Sequence, residues 1–279
     1  MKRLVYLFAA VCMAACGSAT ELHVMTFNMR YDNPEDGANN WRFRKERAAE
    51  VILSHGIDVF GTQELLANQL DDLKALLPEY AEVGVGREDG VRAGEFNAVF
   101  YRKDRFTPLE SGTFWLSETP ETAGSKGWDG ACERLATWVV LRAADGREFL
   151  FINTHLDHMG SIARKEGVSL LTDRIETLRH GRPVILTGDF NAEPGSSVIA
   201  HVKQSGILRH AKEIARTASG PDWSFSDFGE IPEARRPLID YIFVSDGIEV
   251  ERYEVLSDSV TRGYVSDHAP VMAVVKIQK

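Results

Sequence analysis

Apolar residues fall along the chain in short runs of strand length, separated by a few stretches with helical spacing. The runs are LHVMTF (22–27), IDVFGT (57–62), FNAVFY (96–101), ATWVVL (136–141), EFLFIN (148–153), PVILTG (183–188), LIDYIFV (238–244) and PVMAVVKI (270–277). Runs this short, rich in β-branched and aromatic residues and bounded by turn formers, predict strands buried in a sheet core. Two segments carry the helical period instead. Ala48, Val51, Ile52 and His55 stand at i, i+3, i+4 and i+7, and Val168, Leu171, Ile175 and Leu178 repeat a stripe that Gly181-Arg182-Pro183 stops. Many strands with a few helices between them predict two packed sheets with helices outside. No linker, repeat or change of composition divides residues 22–279, so they are expected to form one domain.

The first residues do not fit this pattern. MKRLVYLFAAVCMAAC has two cations, Lys2 and Arg3, followed by an uninterrupted apolar stretch from Leu4 to Ala15. A spanning helix needs about 20 apolar residues, whereas a stretch of this length suits a secretory signal. Met13-Ala14-Ala15-Cys16-Gly17 is similar to a bacterial lipobox, which implies a lipid on Cys16 as the mature N-terminus. Plain cleavage after Ala19 is the alternative. Residues 1–15 are therefore expected to be a lipoprotein signal peptide and 16–21 a short tether. The protein would be exported and anchored through Cys16, on the periplasmic or cell-surface side, or otherwise secreted.

Charge and cysteine count narrow the partners. The 279 residues carry a formal net charge of −9, and loss of Lys2 and Arg3 takes it to −11. Such a balance argues against a general nucleic-acid surface, which needs a basic face. It leaves room for a metal site, where a bound cation reverses the local sign. Of the three cysteines, Cys12 would be removed and Cys16 lipidated, leaving Cys132 without an internal disulfide partner. The expected role of Cys132 is that of a small buried hydrophobe. The chain is long enough to rely on its core, and a monomer is expected.

Polar residues at the ends of the apolar runs carry the chemistry. Asn28 follows the first run and Glu64 the second; Asn153, His155 and Asp157 sit in FINTHLDH; Asp189 and Asn191 sit in TGDFN. Asp240 lies near the start of the IDYIF run, and Asp267 and His268 precede the last. Each alone has a plain reading as a turn or cap residue, and a Glu opening a helix before LLANQL suits the helix dipole. Together they would line one rim if these strand ends met. Such a rim offers hard oxygen ligands for Mg²⁺ or Mn²⁺ and two imidazoles for phosphoryl oxygens.

The ordered set N…QE…NTH…GDFN…DYIF…SDHAP resembles the endonuclease/exonuclease/phosphatase superfamily, from about Leu22 to Lys279. The resemblance implies a four-layer α/β/β/α sandwich of two mainly antiparallel sheets, and hydrolysis of a phosphate ester assisted by Mg²⁺ or Mn²⁺. It implies Glu64 as the main metal carboxylate, with Asn28 beside it and Asp267 as a metal or supporting ligand. Asp189 would orient and deprotonate water, and Asn191 would bind a phosphate oxygen. His268, held by Asp240, and His155 would contact the phosphoryl group. The loop YDNPEDGANNW (31–41) and the stretch FWLSETP…GSKGWD resemble an exported bacterial subgroup, with Trp128 and Arg134 as candidates for holding substrate. A phosphodiesterase or phosphatase is thus expected, with a nuclease as the alternative on the same site. A non-catalytic binding lipoprotein would have lost Glu64, Asp189 or His268. A zinc peptidase would need an HExxH-like helix, which is absent.

Overall fold

The structure is a computed structural model that describes residues 20–261 and 263–278. The expected signal peptide and Cys16 lie outside the described residues. In chain order the elements are β1 (Thr20–Asn28), α1 (Trp41–Ser54), β2 (Val59–Gln63), α2 (Ala67–Leu76), β3 (Tyr80–Val83), β4 (Val99–Arg102) and β5 (Phe106–Trp115). There follow β6 (Leu135–Ala143), β7 (Glu148–His155), α3 (Ser161–Arg179), β8 (Val184–Asp189), α4 (Ser197–Gln204), β9 (Leu208–His210), α5 (Ala211–Ile214) and β10 (Thr217–Ser219). The last are β11 (Asp240–Ser245), β12 (Ile248–Val255), α6 (Asp258–Thr261) and β13 (Val271–Ile277). Two residues of the expected tether, Thr20 and Glu21, belong to β1.

One sheet runs β10-β12-β13-β1-β2-β4-β3 and the other β5-β6-β7-β8-β11-β9. Pairing is mainly antiparallel. The neighbours β1–β2 and β7–β8 are parallel, each joined by a crossover helix, α1 or α3. Strand alternation divides the core into three layers. On β1, Leu22 and Val24 face the second sheet, while Met25 and Phe27 face α1 and α2. On β8, Ile185 faces inward and Val184 and Leu186 face α3 and α4. Helices therefore cover both outer faces, which makes the four-layer sandwich.

The same parity positions the polar strand ends. Asn28, His155, Asp189 and Asp240 each lie an even number of residues from inward-facing Val24, Phe151, Ile185 and Ile242. They extend the inner face of their strands just where the apolar filling stops. Behind them Asn153 ties the sheets together: it accepts from Gln63 Nε2 at 2.6 Å and donates to Thr62 O at 2.7 Å. Gly61 is required there, because a Cβ would lie 2.3 Å from Asn153 Oδ1.

Candidate active site

Sheet register brings the first groups together. Asp189 is paired with His155 across β7–β8 and with Asp240 across β8–β11. His268 arrives from the loop before β13, held by a bridge to Phe225. Glu64 follows β2 in a left-handed conformation, φ 65°, that turns the chain out of the strand. It does not open α2, which starts at Ala67, so the expected helix-dipole role gives way to a position on the rim. Asp189 is the last residue of β8 and not part of a turn; the turn is made at Asn191, φ 45°.

The contacts are close and mostly buried. Asn28 Nδ2 donates to Glu64 Oε1 and to Asp189 Oδ2, both at 3.0 Å, so one amide spaces two carboxylates. The backbone N–H of Tyr31 donates to Glu64 Oε2 at 3.2 Å and that of Asn191 to Asp189 Oδ1 at 2.9 Å. His268 Nδ1 lies 2.8 Å from Asp240 Oδ2, and its Nε2 lies 3.8 Å from Asp189 Oδ2. His155 Nε2 is 3.5 Å from Asp189 Oδ2. Asn191 Nδ2 reaches both Leu156 O at 3.0 Å and His155 Nε2 at 3.1 Å. The Asn191 amide is thus anchored on the Leu156 carbonyl while it faces the His155 ring. Asp267 accepts from Ser266 Oγ and lies 3.7 Å from Arg30.

Burial and charge shape the proton affinities. Burial, with nearby Asp240, pushes the Asp189 carboxyl up to about 7. Burial likewise raises Asp267 to about 6, reinforced by Glu64 against the opposing His268 and Arg30. His268 would lose its charge through burial alone, but Asp240 outweighs this and holds it up to about 10. His155 has no carboxylate on Nδ1, and burial, then the Arg134 and Arg87 charges, keep it well below the usual imidazole range. The two histidines therefore differ: the surroundings of His268 favour the charged ring and those of His155 the neutral one.

These groups open onto a cleft of about 490 Å³. Glu64, His155, Asp189, Asn191, Asp267, His268 and Arg134 line it, with Asn28 and Asp240 buried behind. Trp128 is placed elsewhere. It is not among the lining residues, and its backbone N–H donates to the Glu118 carboxylate. Cys132 corrects the expectation of a buried hydrophobe, because it is half-exposed and lines the cleft. His158 and Tyr31 of the loop 31–41, both beside motifs that the sequence marks, line it too, whereas sequence reasoning passed over Arg30, Glu95 and Phe225. Glu95 was findable: it immediately precedes the FNAVFY run, the type of position that marked the others.

Two side-chain groups have the spacing to hold an ion. Ligand atoms of Glu64, Asp189 and His268 lie within 4.8 Å of one another, as do those of Cys132, Asp157 and His158. The second group is already satisfied. Asp157 accepts backbone N–H groups from Ala131, Cys132, Met159 and Gly160, and the Arg134 guanidinium lies beside it. The first group fits a divalent cation: Glu64 and Asp189 bring carboxylate oxygens together, Asp267 lines the same cleft, and the arginine beside Asp267, Arg30, is shared with Asp36. Hard oxygen donors in excess of nearby cations are the chemistry of Mg²⁺ or Mn²⁺ sites.

The sequence profile of the Endonuclease/Exonuclease/phosphatase family matches residues 25–268. The chain belongs to this family. Solved family structures are similar throughout. A Bacteroides vulgatus endonuclease/exonuclease/phosphatase is 40% identical with a TM-score of 0.89, covering 93% of this chain and 100% of that one. A family protein of Bacteroides thetaiotaomicron is 38% identical with a TM-score of 0.88, covering 94% and 99%. A mannosyl-6-phosphatase of the same organism is 37% identical with a TM-score of 0.86, covering 91% and 99%. A comparison with curated proteins finds no match. Family members are phosphoesterases, so membership supports a hydrolase built on the DNase I-like fold.

Proposed function

We propose that the protein is an exported, divalent-metal-dependent phosphoric ester hydrolase that acts as a phosphatase on a small substrate. The observation that carries this reading is the meeting, in one cleft, of carboxylates in excess of cations with a buried Asp–His pair. When bound, Mg²⁺ or Mn²⁺ supplies positive charge against the phosphoryl and leaving oxygens. Asp189, with a proton affinity raised toward neutrality, takes the proton of the attacking water. His268 donates from Nε2 to a phosphoryl oxygen while Asp240 fixes the ring and sustains its charge. His155, neutral and clamped by Asn191, presents a second polar edge. Glu64 and Asp267 would hold the ion, with Asn28 positioning the Glu64 carboxylate.

A phosphatase is favoured over a nuclease by the acidic chain and by the likeness to a mannosyl-6-phosphatase, which makes a sugar phosphate the first ester to test. Export and anchoring through Cys16 complete the proposal. β1 runs from Thr20 to Asn28, roughly 26 Å of extended chain, so an anchor before Thr20 would leave the cleft facing away from the membrane. No helix among the described residues is long and apolar enough to cross a membrane. The test is a panel of phosphate esters on chelated protein with Mg²⁺ or Mn²⁺ restored. Failure to hydrolyse any of them overturns the reading. Palmitate labelling that survives Cys16→Ser overturns the anchor.

A further inference from the structure

The wall of the cleft beyond the ion-binding carboxylates has a different chemistry. Glu95, Arg134 and His158 line it, and none takes part in the proposed ion binding or proton transfer. Their charges are matched. Arg87 Nη1 lies 2.5 Å from Glu95 Oε2, and Arg134 Nε lies 3.5 Å from Asp157 Oδ2. Arg134 is itself nearly buried, at 6% exposure, and its Nε has no hydrogen-bond partner among the described residues. Its Nη2 lies 3.0 Å from His158 Nδ1, which fixes the arginine fork against an exposed imidazole. Asp157 is anchored by four backbone N–H groups, so the arginine rests on a rigid base.

A subsite for a second phosphate would need cations in excess, and here each guanidinium already has a carboxylate. Glu95 would also repel it. A nucleobase would need an open aromatic face. The lining aromatics are engaged: the Arg30 guanidinium lies over the Tyr31 ring at 4.6 Å, and Phe225 packs on His268 with centroids 4.8 Å apart. What the wall does offer is a charged acceptor, a fork of donors and an imidazole within one small space. That combination bonds to neighbouring hydroxyls, which both donate and accept.

The geometry points to Glu95, Arg134 and His158 as a leaving-group subsite that reads the hydroxyls of a sugar or polyol phosphate monoester. The inference rests on the phosphatase reading of the same cleft and adds the residues that decide its specificity. Glu95 accepts from one or two hydroxyls through the oxygen that Arg87 does not occupy. His158 and Arg134 present the neighbouring donors.

The experiment compares a hexose 6-phosphate with p-nitrophenyl phosphate, which carries no hydroxyls on its leaving group, for wild type, Glu95→Ala, Glu95→Gln and His158→Ala. Losing a hydrogen bond to a charged group typically costs about 10- to 100-fold in discrimination. The ratio of kcat/KM between the two esters is expected to fall by that factor in Glu95→Ala, mostly through KM, and by less in Glu95→Gln and His158→Ala. An equal loss on both esters would mean that Glu95 only holds Arg87 in place, and would overturn the subsite. So would an unchanged ratio. If the Glu95 variants do not fold, exposed His158 carries the comparison alone. Calorimetric binding of hexose 6-phosphate to chelated protein separates this inference from the reading beneath it. Binding weakened by the substitutions, in a wild type that hydrolyses no ester, would retain the subsite and overturn the phosphatase. Binding indifferent to them would overturn the subsite.

Discussion

Two clefts of nearly equal size open at opposite poles of the sandwich. One, of about 490 Å³, lies where β1, β2, β7 and β8 end; the other, of about 480 Å³, lies where β1, β2 and β5 begin. Both contain a buried aspartate, a histidine and an arginine. At the far pole Asp58 is matched on each oxygen: Arg105 is paired with Oδ1, and the backbone N–H of His23 donates to Oδ2 at 2.9 Å. At the near pole Asp189, Asp267 and Glu64 line one cleft, Arg30 approaches one of them at 3.7 Å, and His268 is already bound to Asp240. Size does not distinguish the two clefts. The excess of carboxylates over cations does, because crowded like charge costs stability unless a cation is to be bound.

The largest test of that contrast is removal of the cation. Chelation should abolish phosphoester hydrolysis, and Mg²⁺ or Mn²⁺ should restore it. Full turnover after exhaustive chelation would mean that the convergent carboxylates serve some other purpose and that the contrast does not mark an ion site.

Next comes Asp189→Asn. Loss of a general base typically lowers kcat by ~10²–10⁴-fold. The structure adds a stability effect that a turn residue would not show. Both Asp189 oxygens accept N–H groups, from Asn28 and Asn191, so an amide must turn its own NH₂ against one of these donors. The cost is about 1–3 kcal/mol, visible as a modest fall in Tm. A kcat within threefold of wild type would show that Asp189 is structural.

Asp240→Asn should be milder. His268 keeps its place through the Phe225 bridge and the Ser266 contact to its backbone N–H, but loses the carboxylate that sustains its charge. We expect kcat to fall by about 10- to 100-fold with KM little changed, since the lost interaction acts in the transition state. A change in KM alone would assign the pair to ground-state binding.

Much of this contrast was legible in the sequence, for a physical reason. Strands buried on both faces must be apolar throughout, so Asn28, Asp189 and Asp240 stand out at the ends of their runs. Strands at or next to a sheet edge, such as β5 and the β12 that only three-residue β10 covers, lack that constraint. β5 carries Pro108, Glu110 and Ser111 between its apolar ends, and β12 alternates as IEVERYEV, so neither reads as a core run. α4 is two turns long, too short for a periodic stripe to emerge. Within the site, ion-binding residues were visible because their types are unusual at strand ends. Glu95, Arg134 and His158 come from three separate segments, and only the fold brings them to one wall. Trp128 was singled out as an aromatic near glycines; such composition cannot tell a residue that lines the cleft from one that does not.

The smallest effect on activity should come from the far pole, and it is the one that could break the comparison. Asp58 is 2% exposed and Arg105 considerably more open, with 39% of its side chain accessible. Asp58→Asn removes the charge that Arg105 faces and keeps the volume. A fully buried pair broken on one side loses about 3–5 kcal/mol. Here water can solvate the freed guanidinium, so about 1–2 kcal/mol is the better expectation. The loss should register as a lower denaturant midpoint at constant m-value. Phosphoester hydrolysis at 25 °C should stay within threefold of wild type, because the substitution lies a full strand length from Asp189. A loss of activity comparable to that of Asp240→Asn, in protein still folded at the assay temperature, would mean that the matched cleft is coupled to the unmatched one. Charge matching would then no longer separate a structural pole from a chemical one.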